Sequence, residues 1–180
     1  ISGSMNFPKK IMERSFLPES HRITLNINLD LIVQNIKVIS KKVAPSIVMP
    51  ILKANAYGLG SVPIGKFLTK HGFALTGVAD INEAFELNTI FKEIHILGDV
   101  FDADINLIQE HGWVCPLTSF DRLKGWGTLL NKTRKKLKVQ LYLDTGMGQL
   151  GIKPAEVYEN IEVLKNLDGI ELAGVYSHFT

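Results

Sequence analysis

Apolar positions along the chain fall into short runs, separated by longer segments in which they recur with helical period. The runs Ile47–Lys53, Ala74–Val78, Ile94–Leu97, Val114–Leu117, Val139–Asp144 and Ile170–Val175 predict β-strands. The segments near Pro63–His71, Asn82–Phe91, Ala103–His111, Phe120–Leu130 and Ala155–Lys165 predict helices. Asp80-Ile-Asn-Glu83 carries an N-terminal capping signature, and Pro154 suits a first helical position. Ahead of this repeat, Arg22–Ile27 alternates, with Ile23, Leu25 and Ile27 on one face, and predicts a further strand. Leu29, Ile32, Val33, Ile36 and Ile39 then mark a helix to about Val43, with Asn28 or Asp30 as its cap and Pro45 beyond its end.

Each strand–helix unit takes roughly 20–30 residues, as in a (β/α)8 barrel, where about 250 residues divide among eight units. A doubly wound open sheet produces the same alternation, so periodicity does not choose between them. A chain of 180 residues suffices for one core but not for a full second domain beside it. Residues 1–21 read as a cloning scar (Ile1–Ser4, before Met5) and an N-terminal arm, and residues 22–180 as the folded part.

Composition removes several classes of function. Hydrophobic residues make up 46% and charged residues 21%, ordinary for a globular protein. A net charge of +2 gives no ground for a nucleic-acid or membrane partner. No apolar run approaches the roughly 18–20 residues that span a bilayer. The single cysteine, Cys115, excludes an intramolecular disulfide and reads as a small buried filler. Without a disulfide or signal peptide, a cytoplasmic location is expected. His21, His71, His95 and His111 are scattered, and Asp99, Asp102 and Asp104 lack the Gly and Glu of a calcium loop, so no metal is expected. The basic run Lys132–Lys138 reads as a solvated helix end.

Candidate chemistry begins at Lys53, which ends an apolar run and precedes a turn rich in small residues, Ala54-Asn-Ala-Tyr-Gly58. Burial disfavours a charged ammonium, which makes such an amine a nucleophile and a Schiff-base candidate. Two further stretches end predicted strands. One is Asp144-Thr-Gly-Met-Gly-Gln-Leu-Gly151, and the other is Tyr176-Ser-His-Phe-Thr180.

Together, Lys53-Ala-Asn-Ala-Tyr-Gly-Leu-Gly60, Asp144-Thr-Gly-Met and Ser177-His-Phe resemble the alanine racemase family. The resemblance covers Arg22 to Thr180 and implies its N-terminal pyridoxal-phosphate-binding TIM barrel, incomplete, with about six of eight barrel strands and no C-terminal β domain. It implies that Lys53 is catalytic and holds the cofactor as an imine, that Tyr57 binds the cofactor phosphate, and that His178 packs on the cofactor ring. The implied reaction interconverts L- and D-alanine and feeds D-alanine to cell-wall peptidoglycan. The implied assembly is a homodimer, whose partner subunit supplies the second catalytic base, a tyrosine. Alone, this chain is expected to bind cofactor weakly and to racemise little.

The sequence departs from the family pattern twice. Gln149 stands where the family has a substrate-binding arginine, and Tyr142 where many members carry a lysine. A hydrogen-bonded Tyr142–Gln149 pair is the expected neutral substitute for both charges. Two other readings of the same fold stay open: a non-catalytic pyridoxal-phosphate carrier, and another racemase or aldolase.

Overall fold

The computed structural model describes residues 25–130, 135–165 and 168–179. Its sheet has five parallel strands, β1 (Leu75–Val78), β2 (Glu93–Ile96), β3 (Val114–Leu117), β4 (Leu137–Leu143) and β5 (Ile170–Ser177), in sequential order. Strand order is what separates the two folds that periodicity left open. A doubly wound sheet reverses its order at a switch point, whereas each strand here is laid beside the last in one direction.

The sheet also curls. The Tyr176 hydroxyl on β5 donates to the Leu97 carbonyl just past β2, at 3.2 Å. In a flat sheet these strands would stand three spacings apart, about 14 Å. The fold is therefore an incomplete (β/α) barrel. Its outer wall is formed by α1 (Leu29–Val43), α3 (Ser61–Lys70), α4 (Ile81–Leu87), α5 (Ile105–His111), α6 (Asp121–Leu129), α7 (Pro154–Glu159) and α8 (Ile161–Lys165), while α2 (Lys53–Tyr57) is a single turn.

Strand alternation divides core from interior. On β4, Leu137, Val139 and Leu141 join the main apolar cluster with Ile94, Ile96, Cys115, Leu117 and Ile170. Lys138, Gln140 and Tyr142 take the alternate positions and face the inside of the curl. Helix residues Leu68, Leu87, Ile105 and Ile108, each at most 1% exposed, complete the outer core. Fully burying one such side chain contributes about 1.5–3 kcal/mol.

Several expected elements shift. Residues 22–24 of the first expected strand lie outside the described residues, and Leu25–Ile27 form no strand. The expected strand Ile47–Lys53 contracts to one bridge, Ile51 to Gly77, flanked by Leu52 N–H to Gly77 O at 2.8 Å and Gly77 N–H to Pro50 O at 3.0 Å. Pro50 has no N–H to donate, and Lys53 already enters α2. The helix expected over Ala155–Lys165 breaks at Asn160 into α7 and α8. Asn28 caps α1 through its Oδ1, as the spacing predicts, and Pro154 opens α7.

Candidate active site

Parallel strands place all their C-terminal ends on one rim, where ligand-facing groups gather in barrels. Lys53 follows the Pro50–Leu52 segment at one edge of the sheet, and His178 follows β5 at the other. Asp99 and Thr118 lie on the rim between them, joined by a 3.1 Å hydrogen bond.

Lys53 does not end a strand, as the sequence predicts; it opens a left-handed turn. Ala54, Asn55 and Ala56 have φ of 52–54° and ψ of 46–48°, and Tyr57 follows at φ 55°. Gly58, at φ 85°, accepts positive φ without a Cβ clash and ends the run. Left-handed backbone costs an L-residue about 1–2 kcal/mol. Four such residues in succession therefore need fastening from outside.

That fastening is visible on both sides of the turn. Within it, Gly58 N–H bonds Ala54 O and Gly60 N–H bonds Asn55 O, each at 2.9 Å. The Asn55 side-chain oxygen accepts the Ser61 N–H at 2.8 Å, at the start of α3. From α4, the Glu83 carboxylate accepts the Ala54 N–H at 2.6 Å on one oxygen and the Ala79 N–H at 2.7 Å on the other. Hydrogen bonds to a charged group contribute about 1.5–3 kcal/mol each, comparable to the strain they oppose. The capping signature at Asp80–Glu83 is thus only half realised. Asp80 caps Asn82 N–H and Glu83 N–H, but Glu83 reaches past the cap to the lysine-bearing turn. This is the site residue that sequence reading missed, and the capping signature is the signal that contained it.

The turn leaves Lys53 half-buried and Tyr57 65% exposed. Neither side chain hydrogen-bonds or pairs with another described residue, so an amine and a phenol stand free on one short turn. At the opposite edge, His178 Nδ1 lies 2.6 Å from the Phe179 carbonyl oxygen. A carbonyl only accepts, so Nδ1 is the donor in this contact.

The loop after β4 is drawn in by Asp144. Its Oδ1 accepts the N–H groups of Gly146 and Gly148, each at 3.0 Å. Those donors, Gly148 first, hold its carboxyl below the usual range. Ile152 then returns beside the strand, its N–H on Tyr142 O at 2.8 Å. Gly151 makes the return possible, since a Cβ there would lie 2.8 Å from Asp144 N. The Thr145 hydroxyl meets the Ser177 hydroxyl at 2.6 Å, tying this loop to the residue before His178.

Gln149 is exposed on that loop and makes no hydrogen bond to Tyr142, so the expected neutral pair is not formed. Tyr142 is 6% exposed inside the curl and stacks on its register partner Tyr176. Burial first, with Tyr142 beside it, pushes the Tyr176 phenol well above the usual range. Asp99 and Asp102, set aside as calcium ligands, both bind Arg122. Asp102 also accepts the Trp126 indole N–H at 2.8 Å, and that bond, ahead of Arg122, holds its carboxyl low. Among the described residues, no three of His, Cys, Asp and Glu converge as metal ligands, and no helix is long and apolar enough to cross a membrane.

Comparison with known proteins agrees with this geometry. The family model for the alanine racemase N-terminal domain matches residues 27–180. The alanine racemase of Staphylococcus carnosus is 37% identical over 159 residues, covering 86% of this chain and 41% of that protein. The crystal structure of alanine racemase from Bartonella henselae with covalently bound pyridoxal phosphate superposes with a TM-score of 0.76 at 29% identity, over 86% of this chain and 46% of that one. The histidine racemase of Leuconostoc mesenteroides superposes with a TM-score of 0.78 at 26% identity, over 84% of this chain and 42% of its own. The chain thus spans less than half the length of each of these relatives. With the lysine-bearing turn, the Asp144 loop and the His178 strand end on one barrel rim, and with the family model covering nearly all of the described chain, the protein belongs to the alanine racemase family.

Proposed function

We propose that this chain forms the lysine-bearing part of a pyridoxal-phosphate-dependent racemase that interconverts L- and D-alanine and so feeds peptidoglycan synthesis. The observation that carries the proposal is the placement of Lys53. Lys53 lies at the C-terminal rim of a parallel barrel sheet, on a turn held in a strained conformation. When bound, pyridoxal phosphate supplies an aldehyde for an amine and a ring that takes up the electron pair left at Cα.

The residues present fit that group. Lys53 has no carboxylate partner among the described residues, so no ion pair ties its side chain to the protein. The exposed Tyr57 phenol is free to donate to a phosphate oxygen. His178 offers a flat ring on the same rim. With the cofactor bound, Lys53 would hold it, and the Lys53 amine would hold or move the substrate Cα proton on one face. The opposite face needs a second acid–base group, which we assign to a tyrosine of the partner subunit in a homodimer. At one edge of the sheet β1 meets only the stub at Ile51, and at the other β5 has no outer neighbour among the described residues; in the enzyme we propose, further strands cover both.

A second reading, racemisation of a different amino acid, is favoured by Gln149. A neutral amide holds a carboxylate less firmly than a guanidinium does, and a protein of this fold is a histidine racemase.

Exchange of the Cα proton in deuterium oxide tests both, because it requires chemistry on one face only. With pyridoxal phosphate added, one enantiomer of alanine, the one whose Cα proton faces Lys53, is expected to take up deuterium at Cα, read by NMR, and the Lys53→Ala variant is expected to give none with either. Faster uptake into a histidine enantiomer than into either alanine would move the assignment to the second reading. Uptake that survives Lys53→Ala would refute both.

A further inference from the structure

We propose that Glu83 is a positioning residue for the catalytic lysine, acting as a clasp that keeps the Lys53 turn left-handed; this rests on the proposed role of Lys53. The Glu83 carboxylate hydrogen-bonds both the turn and the residue after β1. One oxygen takes the Ala54 N–H, the first amide after Lys53, and the other takes the Ala79 N–H, the first after β1. Both amides sit on the catalytic rim, and each has its carboxylate oxygen at 2.7 Å or less.

Geometry makes Glu83 difficult to replace. Glutamine has one acceptor oxygen and an amino group that would face an N–H, so it satisfies one amide and repels the other. Aspartate is one methylene shorter. The turn's own backbone bonds, Ala56 N–H to Leu52 O at 2.8 Å and Gly58 N–H to Ala54 O at 2.9 Å, leave the Ala54 N–H to Glu83, while Ala54, Asn55 and Ala56 all hold positive φ. The Asn55–Ser61 bond fastens the middle of the turn to α3 and leaves the Ala54 amide to Glu83. Without Glu83, the residue that feels the strain first is Ala54, and its movement swings the Lys53 side chain off the rim.

The proposal is tested by amide hydrogen exchange on the cofactor-free protein, joined to the rate at which pyridoxal phosphate becomes attached to a lysine. Glu83→Ala is expected to accelerate exchange at Ala54 and Ala79 at least tenfold and to slow attachment at Lys53 by a similar factor. Glu83→Gln is expected to fall between. Asp80→Ala is the control: it strips the cap of the same helix, and is expected to lower the melting temperature without accelerating Ala54 exchange. Unchanged Ala54 exchange in Glu83→Ala overturns the clasp. Accelerated exchange with unchanged attachment overturns its positioning role while leaving the role of Lys53 intact. Wild-type protein that attaches no cofactor at Lys53 defeats the proposed function and the positioning role with it, and the exchange data still decide the clasp.

Discussion

The rings of Tyr142 and Tyr176 lie 4.4 Å apart and 15° from parallel, side by side on β4 and β5 inside the curl of the barrel. The two phenols are not equivalent. Tyr176 donates to the Leu97 carbonyl, whereas Tyr142 makes no hydrogen bond with another described residue. Tyr176→Phe is therefore expected to cost about 0.5–1.5 kcal/mol of stability and Tyr142→Phe close to nothing. Tyr142→Ala, which empties a buried aromatic site, is expected to cost about 3–5 kcal/mol. Urea unfolding of the three variants checks the order. Equal losses in the two phenylalanine variants would show that the Leu97 bond contributes nothing.

Gly77 joins the stub at Ile51 to the sheet. A Cβ there would lie 2.5 Å from Ile51 Cδ1 and 2.9 Å from Leu97 Cδ1. Both are terminal methyls of flexible side chains, which can rotate aside, so Gly77→Ala is expected to cost no more than about 1 kcal/mol. It is also expected to leave cofactor attachment unchanged, because the backbone that carries Lys53 need not move. Thermal melting and attachment kinetics measure the two effects separately.

Asp144 gives the rim a pH dependence with a definite sign. Its folded pKa lies below the ordinary 3.8 because the N–H groups of Gly148 and Gly146 bond its ionised form. The contribution is thus present above that ordinary value and is lost as pH falls through the lower, folded one. Amide exchange at Gly146 and Gly148 is expected to stay slow at neutral pH and to lose its protection under acid. Protection that survives Asp144→Ala would assign those amides another partner.

Cys115 is 1% exposed, and burial pushes its thiol up to about 12. It is expected to resist thiol reagents at neutral pH until the protein unfolds. The rate of modification in native buffer and in denaturant measures this.

Much of the barrel is legible in the order of apolar runs, because strands covered by helices must be apolar and helices must show one apolar stripe. β1, β2 and β3 fall within a residue of their expected bounds. Lys53 misleads because the apolar pattern continues through Pro50 and Leu52 while the backbone has already begun to turn. No propensity predicts four left-handed residues in Ala-Asn-Ala-Tyr; tertiary bonds from Glu83 and Ser61 impose them. Gln149 and Tyr142 are seven residues apart and look coupled, yet the loop drawn in by Asp144 leaves one in solvent and the other on Tyr176. The break at Asn160 is likewise silent in the sequence, since apolar positions keep helical spacing across it.

The most direct test of the role given to Lys53 is chemical. Borohydride reduction of the protein in the presence of pyridoxal phosphate, followed by peptide mass spectrometry, locates the lysine that carries the cofactor. The pyridoxyl mass is expected on the peptide containing Lys53, and no equivalent single site in Lys53→Ala. A label spread over exposed lysines, or concentrated on a lysine other than Lys53, would contradict it.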